Sequence, residues 1–151
     1  MKILVQTAAF DLGAEVDAMR RGRTDIGAVA SFVGLARDLN EGSGVAAMTL
    51  EHYPGMTEKA LAALVGEANS RWALLDVTVI HRVGRLLPGE PIVLVAVAGS
   101  HRGEAFAACE FIMDYLKTRA PFWKKEETAD GERWVDARAS DDAAAARWDT
   151  P

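Results

Sequence analysis

Between the turn signal Pro88-Gly89 and the Gly99-Ser100 pair, Ile92 to Ala98 is an unbroken apolar run rich in β-branched residues. Seven such residues fall far below the roughly 20 needed to cross a bilayer, so the run reads as a buried strand. A chain of 151 residues, 50% of them hydrophobic, is long enough to bury a substantial core around it as one compact domain. The segment after the run is equally constrained. Ser100 is placed to cap a helix whose inner stripe is Ala105, Ala108, Cys109, Ile112, Tyr115 and Leu116, and Pro121 forbids its continuation.

The remaining segments alternate in type. Lys2 to Thr7 is an expected strand, and Asp11 can cap a short helix running to about Arg20. Gly27 to Leu35 and Val45 to His52 are expected strands, flanking a stretch from Asp38 to Gly44 whose composition is that of a mobile loop able to order over a ligand. From Met56 to about Arg71, apolar residues recur at helical spacing at 60, 61, 64, 65 and 68. Leu75, Val77, Val79, His81 and Val83 alternate as in a strand, and a hairpin or similar tight connection at Pro88-Gly89 would lead into the apolar run. Phe122 to Glu127 and Glu132 to Asp136 read as two strands about Ala129-Asp130-Gly131, with a closing helix over Ser140 to Trp148. No repeat, linker or domain boundary interrupts residues 1–151.

A net charge of −5 and a pI near 5.2 argue against a nucleic-acid or membrane-surface binder, since both partners demand an extended basic face. The charge is unevenly spread. Residues 81–125 hold seven Lys and Arg against four Asp and Glu, while the other 106 residues hold ten against eighteen. A pocket in the basic segment would favour an anionic ligand, and an amine partly desolvated there can serve covalent or acid–base chemistry. With one cysteine, Cys109, and no secretory segment at the start, a cytoplasmic location is expected.

Lys117 falls in the last turn of the helix that Pro121 ends, where it can also simply complement the helix dipole. Lys124 and Lys125 follow on a strand, where alternation sends them to opposite faces, so only one can readily join Lys117 in a cleft. Spacing does not choose between them. His101 and Arg102 lie where a strand gives way to a helix, a place where free N–H groups attract phosphate, and Arg102 can fork onto an oxyanion. Arg37 stands at the mouth of the 38–44 loop. His52, His81 and Cys109 have no companions at metal-ligand spacing and read as structural. There is neither a phosphate-binding P-loop nor a G-x-G-x-x-G. Trp123, Trp134 and Trp148 read as core or interface anchors.

Five blocks in order carry a resemblance that spans nearly the whole chain: Gly27 to Gly34 with Arg37, Leu50 to Met56, His81-Arg82-Val83-Gly84, Ser100-His101-Arg102, and Met113 to Lys117 continuing through Pro121 to Glu126. Together they resemble the large, catalytic subunit of molybdopterin synthase. The resemblance implies an α+β protein with an α/β-hammerhead-like fold and an added antiparallel β subdomain. It implies a sulfurtransferase that converts cyclic pyranopterin monophosphate to molybdopterin, with two sulfurs supplied by the C-terminal Gly-Gly thiocarboxylate of a small ubiquitin-like subunit. A central dimer of large subunits is expected, with one small subunit at each end and no metal or other cofactor. The family's pocket residues fall here on Phe32, Arg37, His101, Arg102, Met113, Lys117 and Lys124. Lys117 and Lys124 would be catalytic, and the others would hold substrate. A scaffold that grips a ubiquitin-like tail or a phosphate ligand without chemistry is the alternative; two lysines where arginines would grip better weigh against it.

Overall fold

The computed structural model describes residues 1–135 and 139–149. In chain order the elements are β1 (Lys2–Gln6), α1 (Leu12–Arg20), β2 (Ala28–Leu35), β3 (Leu39–Asn40), β4 (Ser43–His52), α2 (Met56–Arg71), β5 (Leu74–Arg82), β6 (Gly84–Leu86), β7 (Pro91–Gly99), α3 (Arg102–Arg119), β8 (Phe122–Thr128), β9 (Gly131–Val135) and α4 (Ala139–Ala146). The architecture is mixed α/β, with four helices and two sheets among the described residues. None of these helices is long and apolar enough to cross a membrane.

The first sheet has the order β1-β5-β7-β2, with β1 parallel to β5 and the other pairs antiparallel. The apolar run is β7, flanked by β5 and β2, and residues 93–99 are all buried. Alternation along these strands feeds two cores. Val77, Val79, Val93, Val95 and Val97 face α2 and α3, while Ile80, Leu94, Ala96 and Ala98 pack with Met19 of α1 on the opposite face. A strand covered on both sides has no polar face to display, which is why β7 lacks alternation. Trp72, Phe111 and Trp148 close the first core edge to face, with centroids 5.4 to 5.7 Å apart.

The second sheet has the order β3-β4-β8-β9, with β6 also pairing to β4. Its own small core is Ala36, Met48, Leu50 and Leu86, against Ile92. The expected tight connection between β5 and β7 detours here: Gly84, at φ 89°, turns the chain out of the first sheet so that three residues pair with β4. So short a strand has no readable period.

Two expectations are corrected. The 38–44 stretch is not a loop but a β-hairpin, in which Leu39 pairs with Gly44 and Asn40 with Ser43. Its two turn residues, Glu41 and Gly42, have φ 52° and 79°, the paired positive values that suit a two-residue hairpin turn. The residue capping α3 is His101 rather than Ser100; its carbonyl accepts from Ala105 N at 3.4 Å and its side chain makes no capping bond. Asp11 caps α1 as expected, accepting from Ala14 N at 3.0 Å. Asp136 lies outside the described residues.

Candidate functional site

A pocket of about 400 Å³ opens where the two sheets meet the C-terminal end of α3. Its apolar lining comes from Met48 and Leu50 on β4, Ile92 at the start of β7, Leu116 on α3 and Phe122 on β8. Into this surface project three cations, Arg37, Lys117 and Lys124.

The local chain explains their meeting. α3 ends at Arg119, Ala120 is extended at φ −77° and ψ 135°, and Pro121 leads directly into β8. The last turn of the helix and the first residues of the strand therefore share one corner. On β8, Phe122, Lys124 and Glu126 point to the pocket, while Trp123 and Lys125 occupy the other face. Lys125 Nζ sits 3.4 Å from Glu132 and 5.5 Å from the centre of the Trp134 ring. Of the two lysines that spacing leaves open, Lys124 is therefore the one that lines the pocket.

Other cations of the basic segment are engaged elsewhere. The Arg82 guanidinium donates to the Thr7 and Pro91 carbonyls at 3.0 to 3.2 Å, Arg85 forks onto Glu127, and Arg119 pairs with Glu67 and lies over the Tyr115 ring. Of the remaining cations of the segment, Lys117 and Lys124 line the pocket and Arg102 opens α3 at its far end.

One wall is a buried polar network. Glu126, 3% exposed, accepts from Asn40 Nδ2 at 3.1 Å on each oxygen and from Arg133 at 3.0 and 3.2 Å, and Arg133 also donates to the Asn40 carbonyl at 3.2 Å. The network fastens the β3–β4 hairpin to β8 and β9, fixing one rim of the pocket. Asp141, in the first turn of α4, lines the pocket as well.

His81 belongs to the site although sequence reasoning treats it as structural. It is buried on β5, lines the pocket, and stacks on Phe122 with centroids 3.8 Å apart. Its Nδ1 lies 2.8 Å from the Arg82 carbonyl oxygen. Burial, with the charges of Lys117 and His52 adding to it, holds the imidazole well below its ordinary range, at about 4. The signal available in sequence was its place on the inward phase of the alternation that ends beside Arg82.

Four other expected site residues are not at this pocket. Arg102 opens α3 and Lys117 lies near its end; fifteen residues of helix separate them by about 22 Å. His101 and Arg102 are exposed at that far end. Phe32 is 42% exposed on β2, which forms one edge of the first sheet. Met113 is buried in the core beneath α3. Cys109 is buried too: its thiol meets the Val95 carbonyl at 3.8 Å and is pushed up to about 11, first by burial and then by Glu110. Among the described residues, no group of three or more His, Cys, Asp or Glu could hold a metal ion.

The sequence and the fold both have known relatives. A molybdopterin synthase catalytic subunit of Ralstonia nicotianae is 70% identical over 97% of this chain and 83% of its own length, and one of Pseudomonas aeruginosa is 60% identical over 99% of both. The solved structure of a molybdopterin biosynthesis MoaE protein from Burkholderia ambifaria superimposes with a TM-score of 0.85 at 63% identity, over 99% of each chain. The family described as MoaE protein matches residues 5–119, and the chain belongs to that family.

Proposed function

We propose that this chain is the catalytic subunit of a molybdopterin synthase. It converts cyclic pyranopterin monophosphate to molybdopterin, taking two sulfurs from the thiocarboxylated C-terminus of a small ubiquitin-like carrier. The observation that carries the reading is the pocket itself: a cavity of about 400 Å³ whose apolar lining is interrupted by Arg37, Lys117 and Lys124. Such a site binds an anionic heterocycle and stabilises charge that develops as a thiocarboxylate sulfur attacks carbon. Lys117 and Lys124 are the catalytic pair, assisting proton transfer at the reacting carbons, and Arg37 holds the phosphate or a pterin oxygen.

His101, Arg102 and Phe32 complete the site from a second copy of the chain. One chain cannot bring them to its own pocket, because α3 holds Arg102 and Lys117 at opposite ends. Their exposure leaves them available to a neighbour, in keeping with a dimer of large subunits at the centre of the assembly. Met113 acts from beneath, holding α3 against the sheet. The fold is the hammerhead type with an antiparallel β subdomain formed by the second sheet, and the protein works in the cytoplasm.

The test is single-turnover conversion of cyclic pyranopterin monophosphate by the purified chain mixed with thiocarboxylated small subunit. Product from wild type is expected, with little from Lys117→Ala or Lys124→Ala. A folded wild type that binds the small subunit yet forms no product overturns the reading.

A further inference from the structure

The pocket's cations can only donate hydrogen bonds: Arg37, Lys117 and Lys124 offer no acceptor. Its acceptors are differently placed. The Glu126 carboxylate is already occupied by Asn40 and Arg133, and Asp141 stands on α4 as a charged, partly solvated group. His81 is buried and neutral, as is Asn40, whose amide is already tied to Glu126. A backbone carbonyl accepts and never donates, so the 2.8 Å contact with the Arg82 carbonyl places the hydrogen on Nδ1. Nε2 then carries a bare lone pair, and it makes no hydrogen bond among the described residues. The Phe122 stack fixes the plane of the ring, so this lone pair has a set direction.

We infer that His81 is a substrate-recognition residue of the pocket, whose Nε2 accepts a hydrogen bond from a ring N–H of the bound pterin. This rests on the synthase reading above and deepens it. A reduced pterin carries N–H donors on the same ring system whose phosphate and carbonyl oxygens call for cations. A pocket of cations alone recognises the second set and leaves the first without partners. A neutral imidazole meets the donors without cancelling the positive potential that draws in the phosphate, as another carboxylate would.

Two substitutions separate recognition from structure. His81→Asn puts an amide near the Nδ1 position, keeping a donor for the Arg82 carbonyl and losing the Nε2 acceptor. His81→Gln reaches the Nε2 position and gives up the bond to Arg82. Calorimetric titration of each variant with cyclic pyranopterin monophosphate, without the small subunit, gives affinity independently of turnover, and thermal melting gives stability. The expected result is about tenfold weaker binding by His81→Asn, the size of one hydrogen bond, and binding within about threefold of wild type by His81→Gln, although the latter melts lower. Affinities that follow melting temperature instead, or His81→Asn binding like wild type, overturn the inference. Nitrogen NMR of the wild type supplies a second reading: the Nε2 resonance of a neutral, Nδ1-protonated His81 should shift on ligand addition, and its failure to move overturns the inference even where a variant misfolds. A wild type that binds the pterin but does not turn over sinks the synthase reading while still testing His81. A wild type that does not bind it at all overturns both.

Discussion

Asn40 donates its side-chain amide to both oxygens of Glu126, each at 3.1 Å, across 86 residues of chain. This contact turns the 39–44 hairpin into a fixed rim of the pocket, because Asn40 is buried and Glu126 almost wholly so. Asn40→Ala removes one partner from a buried carboxylate, leaving Arg133 to hold it alone. The expected cost is about 1–3 kcal/mol of stability, read by denaturant unfolding, with faster amide exchange confined to residues 39–45. Unchanged exchange in the hairpin would show that the turn residues, and not this bond, hold it in place.

The two neighbouring lysines of β8 should differ sharply in consequence. Lys124 lines the pocket, whereas Lys125 lies on the opposite face between Glu132 and Trp134. Lys124→Ala should lower turnover by a factor of about 10² or more, the range for loss of a proton-transfer group. Lys125→Ala should leave turnover within about twofold and stability within about 0.5 kcal/mol, since a surface pair is worth little. Equal losses in both variants would mean that charge on β8, rather than position in the pocket, is what matters.

The secondary structure was largely legible in the sequence because its cues are local. Asp11, Pro121, the helical stripe of α2 and the apolar run of β7 each announce an element within ten residues. The hairpin at 39–44 and the three-residue β6 were not legible, since elements of two or three residues show no period and depend on β4 for their pairing. The site was half legible. Lys117 and Lys124 meet through a turn that Pro121 dictates, so spacing could suggest the pair but not exclude Lys125. His81 reaches the pocket because the end of β5 meets Phe122 at the start of β8, a relation between distant segments that no local pattern encodes.

Cys109 should be inert in the folded protein. Burial raises its thiol to about 11, so the thiolate that reacts with electrophiles is scarce at neutral pH, and access is blocked by α3 and β7. A disulfide reagent is expected to modify it rapidly only after denaturation. Cys109→Ala should retain turnover with the thiocarboxylated partner. Loss of turnover without loss of fold would assign the thiol a part in sulfur transfer.

Gly27 is required by a close approach rather than by an unusual backbone angle. Its amide donates to the Gly99 carbonyl at 3.0 Å, and a Cβ there would collide with the carbonyl oxygen of Ser100. Both partners are backbone, so neither can swing aside. Gly27→Ala should cost roughly 2–4 kcal/mol and displace the 99–101 segment. The check is a melting curve together with the NMR shifts of Ser100 and His101. A variant as stable as wild type would mean that β2 can separate from β7 at this end without loss.

His81 should set part of the acid limit of stability. Its imidazole titrates near 6.5 in the unfolded chain and at about 4 in the folded one, chiefly because burial disfavours the charged ring. The groups that bear on it are Lys117 from α3 and His52 from β4, both opposing its protonation, and the Arg82 carbonyl, which favours it. A lowered folded value means that the unfolded chain binds the proton first. The contribution is therefore fully present above pH 6.5, falls away as pH drops from 6.5 towards 4, and is lost below that. The span corresponds to about 3 kcal/mol at 1.36 kcal/mol per unit. Urea unfolding of wild type between pH 7.5 and 4 should show this decline, and His81→Asn, which has nothing to protonate, should flatten it by a similar amount. Parallel pH profiles for the two proteins would show that protonation of His81 does not set the acid limit.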